Sequence, residues 1–364
     1  MQALAHIFRG LLANFKLPLA LTLAGFGLAA WLEGVDGLIV VGVLAPLEIA
    51  LSIDNAILNA RVLRGWSEPW RNLFVYVGLP IAVFGMRLVF PLVIVAIIGH
   101  LNLVDAALMA IHNPKQYADV ITSAQHEVNA FGGAFLLLVF LSWAFNGEKD
   151  EHWLGVVEAP MARLAAKAAK LDVLLTIGAV LGTSYLIGEA ERLSYIVAGI
   201  AGVMSFVAAH ALGDLLQSGD DEDASESNAA VGVVKQGIGG LIYLELLDAS
   251  CSFDGVIGAL AISNKILLIA IGLGIGAAYV RDVTLLLVKD DTLAKFKYLE
   301  HGAFYAIGFL AFTLFAHVKL QLPDVVTGGV GFVLLLIALL HSMHAKKAEA
   351  RAQDNPKVVA TATL

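Results

Sequence analysis

Five carboxylates stand where a membrane would penalise them. Glu48, Asp54, Glu245, Asp248 and Asp254 fall in stretches that are otherwise apolar. A carboxylate at the centre of a transmembrane helix costs about 2.5–3.5 kcal/mol even on lenient insertion scales, so five cost on the order of 12–17 kcal/mol. Such groups must be paired, protonated, or facing a ligand or water. The basic residues deep in comparable stretches are Arg87 and Arg281, while Lys235 sits at a span end. Two arginines cannot neutralise five carboxylates, and a divalent cation would bring the cluster close to neutrality. A purely structural ion network and a metal-free proton relay are the other readings these residues allow.

The donor atoms limit the ion. Around the carboxylates stand the Asn55 amide and the Ser52, Ser250 and Ser252 hydroxyls. Apart from Cys251, the single cysteine of the chain, neither motif contains Cys or His. An all-oxygen set suits Mg²⁺, Ca²⁺ or Mn²⁺ rather than Zn²⁺ or Cu⁺. The expected ion is cargo, with no tightly bound cofactor.

The carboxylates come in two related stretches. One reads LEIALSIDNAI and the other LELLDASCSFDGVIGA. Each begins Leu-Glu and reaches Ser-apolar-Asp before a run of small residues. The segments that follow also match. Gly78-Leu79-Pro80-Ile81 precedes Arg87, and Gly272-Leu273-Gly274-Ile275 precedes Arg281, with nine residues from Gly to Arg in both copies.

The elements that must hold these residues are membrane helices. Of 364 residues, 59% are apolar and 15% charged, against roughly 25% charged in a soluble domain. A net charge of −8 leaves no basic surplus for nucleic acid. A span needs about 20 apolar residues. Runs of that kind fall near 17–33, 37–60, 73–98, 128–146, 171–188, 194–216, 235–262, 265–288, 298–318 and 324–344. The fold class is therefore all-α, a polytopic membrane domain of about ten transmembrane helices. With both termini cytoplasmic, the inside segments hold 16 basic residues and the outside segments 4, as the positive-inside rule requires. A bacterial inner (plasma) membrane fits this pattern.

The two motif copies start five spans apart, so they run in opposite directions through the bilayer. That makes an inverted-topology repeat (36–146 and 235–318, spans two to four and seven to nine), the construction common in secondary transporters. Residues 217–230 form an acidic cytoplasmic loop, and 345–364 a polar tail; both are expected to be disordered. The longest outside segment, 99–127, suggests a short helix at 103–112. Trp31, Trp66, Trp70, Trp143 and Trp153 fall near span boundaries, as an interfacial belt would.

Geometry adds an expectation about helix shape. At about 100° per residue, Glu48, Ser52 and Asn55 share one face, while Asp54 falls about 120° from Glu48. In the seventh span, Glu245, Asp248 and Ser252 share a face and Asp254 points about 180° away. Straight helices could not aim all of these at one ion. Pro46 can break the first motif helix, and the stretch from Asp248 to Ser252, followed by Gly255, can unwind the second. Both are expected to be kinked or interrupted.

The patterns Glu48-x-x-Leu51-Ser52-x-Asp54-Asn55 and Glu245-x-x-Asp248-x₅-Asp254 resemble the paired motifs of the TerC family of integral membrane proteins. EHGAFYAIG at 300–308 is similar to a branch of that family without an assigned function. The resemblance covers about residues 36–320. The family was named for tellurium resistance, is grouped with the lysine-exporter superfamily, and includes manganese exporters. The resemblance implies efflux of Mn²⁺ or a similar metal, with Glu48, Asp54, Asn55, Glu245, Asp248 and Asp254 as ligands. Gly255 follows Asp254 where many members carry Ser.

Two other function classes compete with transport. Paired intramembrane aspartates could share a proton as in an aspartyl-type protease, but Glu48, Glu245, Asp248 and the inverted repeat argue against it. A membrane scaffold in metal or tellurite stress resistance would explain the location and not the buried charge. No phosphate loop, His-Glu-x-x-His or Gly-x-Ser-x-Gly occurs, so an enzyme is not expected. The expected mechanism is alternating access around one carboxylate site. Proton exchange is compatible with it.

Overall fold

A computed structural model describes residues 15–78, 80–147, 149, 152–165, 170–217, 236–289, 292–320 and 322–354. Among these no residue lies in a strand. The helices are α1 (Lys16–Leu51), α2 (Ile53–Arg64) and α3 (Glu68–Leu73), then two π-helical segments (Phe74–Gly78 and Ile81–Val89). They continue with α4 (Phe90–Ile98), α5 (Leu103–His112), α6 (Pro114–Ser123), α7 (Gln125–Ala144), α8 (Gly155–Ala165) and α9 (Leu171–Ser184). The last are α10 (Glu189–Gln217), α11 (Ile238–Ile262), α12 (Ile266–Lys289), α13 (Thr292–Lys295), α14 (Leu299–Ala316) and α15 (Asp324–Asp354).

Six helices, α1, α7, α10, α12, α14 and α15, are long and apolar enough to cross a membrane. The sequence suggested ten, and each of the four shortfalls has a physical cause. The first expected span and most of the second lie in one continuous stretch, α1, and the rest of the second lies in α2. α1 is two arms, because Gly34 takes φ 59° and ψ −133°, a conformation glycine adopts without a Cβ clash. The chain folds back there, so that Gly37 lies against the Ala29 carbonyl. The expected third span is wound as π-helix for much of its length. The fifth, α9, has 14 residues. The seventh, α11, is 25 residues long but carries Glu245, Asp248 and Asp254.

The segment 99–127 carries the helix suggested at 103–112, α5, and a second one, α6. α4 ends in a Schellman turn: the Leu101 N–H donates to Ala96 O at 2.8 Å and the His100 N–H to Ile97 O at 3.3 Å. His100 takes the left-handed φ of 51° that this turn needs. Asn102 then caps α5, accepting from the Asp105 N–H at 2.8 Å. The axis bends by 105° between the two helices.

Three expectations change. Residues 345–354, read as the start of a disordered tail, continue helix α15; 355–364 and the acidic loop at 218–230 lie outside the described residues. Trp143 is no interfacial anchor. It is 2% exposed and stacks on Phe304 with centroids 4.6 Å apart, because α7 and α14 pack face to face at its position. Trp66 is buried as well, while Trp31 is exposed.

Candidate functional site

The first motif sits at the joint of α1 and α2. The helix is interrupted at Ser52 (φ −110°, ψ 10°), six residues after Pro46, which stays inside α1. Ser52 occupies the N-cap of α2 without capping it. Its hydroxyl donates to Glu48 Oε1 at 2.6 Å instead. Asp54 satisfies a nearby donor: its Oδ1 accepts from the Asn55 N–H at 2.9 Å. A carboxylate in the first turn also suits the positive end of the helix dipole. The break therefore separates Glu48 and Asp54 onto two helix ends.

The second motif arrives on α11, whose described backbone is helical from Ile238 to Ile262. The expected interruption there is not found. Asp248 meets the first motif directly, accepting from Asn55 Nδ2 at 2.5 Å and from the Ser252 hydroxyl at 3.4 Å. The antiparallel run of α2 and α11 makes this possible. Ser52, Ile53 and Asp54 face Cys251, Ser252 and Gly255 across a small cavity, Asn55 faces Asp248, and Arg61 interacts electrostatically with Tyr243.

Arg87 joins the two copies. Its guanidinium donates to Glu48 Oε1 from Nη2 at 2.5 Å and from Nε at 3.1 Å. Its Nη1 reaches Asp248 Oδ2 at 3.3 Å. All three side chains are buried, so charge-assisted bonds replace the lost hydration. Glycines make room for the glutamates. A Cβ on Gly276 would lie 2.5 Å from Glu48 Cβ, and one on Gly78 would lie 3.0 Å from Glu245 Oε1. Glu245 itself has both carboxylate oxygens buried without a hydrogen-bond partner. Beside Glu48 and Asp54 lies a cavity of about 30 Å³, also lined by Ser52, Cys251, Ser252 and Thr327. That is room for one water or one ion.

Not every expected residue joins. Arg281 pairs with its neighbour Asp282 at 2.9 Å. Ser250 has a buried hydroxyl without a partner, and its backbone carbonyl packs against Gly132 of α7. The Asp254 side chain lies outside the described residues. Among the described residues no group of three or more His, Cys, Asp or Glu side chains is placed to hold a metal ion.

A second polar cluster, centred on Glu158, has no counterpart among the sequence motifs. Glu158 is fully buried. Its carboxylate accepts from the Tyr305 hydroxyl at 3.2 Å and the Leu154 N–H at 3.1 Å. His301 Nε2 lies 3.5 Å away and Lys149 Nζ 3.7 Å away. Burial alone would raise the Glu158 carboxyl, but His301, the Leu154 N–H and Lys149 outweigh it and hold it at about 2. Burial also pushes the Lys149 ammonium below its ordinary value, against the pull of Glu158. Glu300, the preceding residue of α14, pairs with Arg61. The Glu300-His301 pair thus ties the end of α2 and the α8 segment to one helix end.

Long apolar helices wrapped around a buried ion cluster define an all-helical integral membrane protein. The chain belongs to a family described as a protein of unknown function (DUF475), whose model matches residues 53–349. That span takes in Asp54, Asn55, Arg87 and the whole second motif. No curated protein and no solved structure matches the chain.

Proposed function

We propose that this protein is a secondary transporter that exports a divalent cation, with Mn²⁺ the favoured cargo, through the carboxylate cluster between its two motif copies. One observation carries the reading. Four membrane-embedded acids, Glu48, Asp54, Glu245 and Asp248, gather from three helices, α1, α2 and α11, while the described ion pairs there come from a single arginine. Asp54 lines a cavity of ion size together with Glu48 and the hydroxyl residues Ser52, Ser252 and Thr327. A structural network would be expected to match charge with charge; this one leaves negative charge over. The likeness of both motifs to the TerC family favours Mn²⁺ among hard cations.

The inverted repeat gains support from crosswise packing. Glu48 of the first copy rests on Gly276 in the helix that follows the second motif. Glu245 of the second copy rests on Gly78 in the segment that follows the first. The two copies thus interlock, as the halves of an inverted repeat do, with Gly276 one helical turn past Gly272, the counterpart of Gly78.

In the described state Arg87 is the cation between Glu48 and Asp248. An arriving dication exchanges with the guanidinium for those oxygens, and rocking of the repeats opens the site to one side and then the other. This explains why three metal-ligating side chains do not converge here. The test is Mn²⁺ efflux from cells carrying Asp54→Asn or Asp248→Asn. Efflux should fall to the level of cells lacking the protein. Normal efflux at normal expression would overturn the site. Cleavage of a transmembrane peptide by the purified protein would redirect the reading to a protease.

A further inference from the structure

Buried polar atoms without partners destabilise a fold, so each one that persists needs a reason. Two side chains stand out, one on α2 and one on α11. Asn59 is 3% exposed, and its Oδ1 has no hydrogen-bond partner; neither has Glu245 Oε1 or Oε2. The amide oxygen of Asn55 is likewise without a partner.

Their positions are linked by register. Asn59 lies four residues after Asn55 on α2, about 6 Å along the axis and about 40° around it. Glu245 lies three residues before Asp248 on α11, about 4.5 Å along and about 60° around. The helices run antiparallel, so both steps go the same way. They lie between the Asn55–Asp248 hydrogen bond and the level where Arg61 interacts with Tyr243. Gly78 gives the Glu245 carboxylate its space, since a Cβ there would meet Oε1 at 3.0 Å and the Phe74 ring at 2.7 Å.

We propose that Asn59 and Glu245 form a second coordination level for the cation, one helical turn beyond the Asn55–Asp248 level toward the Arg61 end of α2. The inference rests on the transport reading above. Its donors are hard oxygens, one carboxylate and one or two amides, which suit Mn²⁺, Mg²⁺ or Ca²⁺ and not a soft metal. A partly hydrated ion leaving the first level meets unpartnered oxygens instead of an apolar wall. Conduction between sites needs such weak intermediate stations.

The test uses full-length protein in vesicles, with Mn²⁺ as the probe and KM for uptake as the readout. Asn59→Leu should raise KM at least tenfold while leaving the thermal midpoint of metal-free protein unchanged or higher, because an unpartnered amide has been removed. Asn59→Asp should restore KM, and Glu245→Gln should raise it as Asn59→Leu does. If Asn59→Leu leaves KM within twofold, the second level does not exist. If it lowers the metal-free midpoint and Asn59→Asp does not restore KM, the amide is structural and the proposal falls. The transport reading fails separately: wild-type protein without saturable uptake, or Asp248→Asn with normal uptake, overturns that reading and not the second level alone.

Discussion

Arg87 and Arg281 occupy the same place in the two motif copies, nine residues after a glycine, and do different work. Arg87 is buried and holds Glu48 from its own copy and Asp248 from the other. Arg281 turns to the adjacent Asp282 and stays partly exposed. The winding between glycine and arginine explains the difference. In the second copy that stretch belongs to the regular helix α12, whereas Arg87 lies on the π-helical segment Ile81–Val89. A π-helix takes more residues per turn, so an equal spacing lands on a different face. The residue two after the glycine differs as well. It is Pro80 in the first copy and Gly274 in the second. Proline has no N–H for the carbonyl four residues back and its ring crowds that carbonyl; the backbone relieves this by pairing five residues back. Equal sequence spacing therefore gave one arginine to the site and withheld the other.

The largest test of this contrast is charge removal. Arg87→Ala leaves Glu48 and Asp248 buried without their counter-ion, and breaking a buried pair from one side costs about 3–5 kcal/mol. Arg281→Ala removes one partner of a largely buried neighbour pair (18% and 9% exposed) and should cost less, about 1–3 kcal/mol. Thermal unfolding of both variants in detergent measures the gap. Equal losses would mean that the two arginines are equivalent and that the winding carries no consequence.

A smaller effect is expected from the glycines that seat the glutamates. Gly276→Ala would bring a methyl to 2.5 Å from Glu48 Cβ and 2.9 Å from the Ala45 carbonyl. The backbone contact cannot yield as a side chain does, so over-packing should cost about 1–3 kcal/mol. Glu48 would be pushed from Arg87 and Ser52, so Mn²⁺ transport should fall together with stability. A variant with normal efflux and midpoint would show that Glu48 does not depend on that seat.

Much of the arrangement could be read from the sequence, and the failures share a cause. Charge position and apolar length located most helix ends within a few residues, α5 among them. The face shared by Glu48 and Ser52 followed from helical period alone, and the two are hydrogen-bonded. Period could not reveal departures from period. The Gly34 fold-back, the π segments and the intact second motif helix depend on tertiary packing. The break falls at Ser52 and not at Pro46, with the serine hydroxyl bonded to Glu48 one turn back instead of capping α2. Glu158 was invisible because its buried site is built by His301 and Tyr305 of α14, far from it in the chain. Arg281 leaves the site because equal spacing on a regular helix does not give the direction it gives on a π-helix.

The smallest effect is the sharpest probe of winding. Gly274 sits inside α12, two residues before Gly276, and a Cβ there would meet nothing within 4 Å. It faces an apolar cavity of about 440 Å³ lined by Leu21, Leu28 and Phe84 among others, so an added methyl has space. If α12 keeps its regular winding throughout the transport cycle, Gly274→Ala should stabilise it by about 0.5–1 kcal/mol through helix propensity alone. Efflux should be unchanged. A raised midpoint with impaired efflux would say that α12 rewinds during transport and needs glycine to do so. The contrast between Arg87 and Arg281 would then belong to two halves of one cycle, with Arg281 taking the place of Arg87 when the site faces the other side.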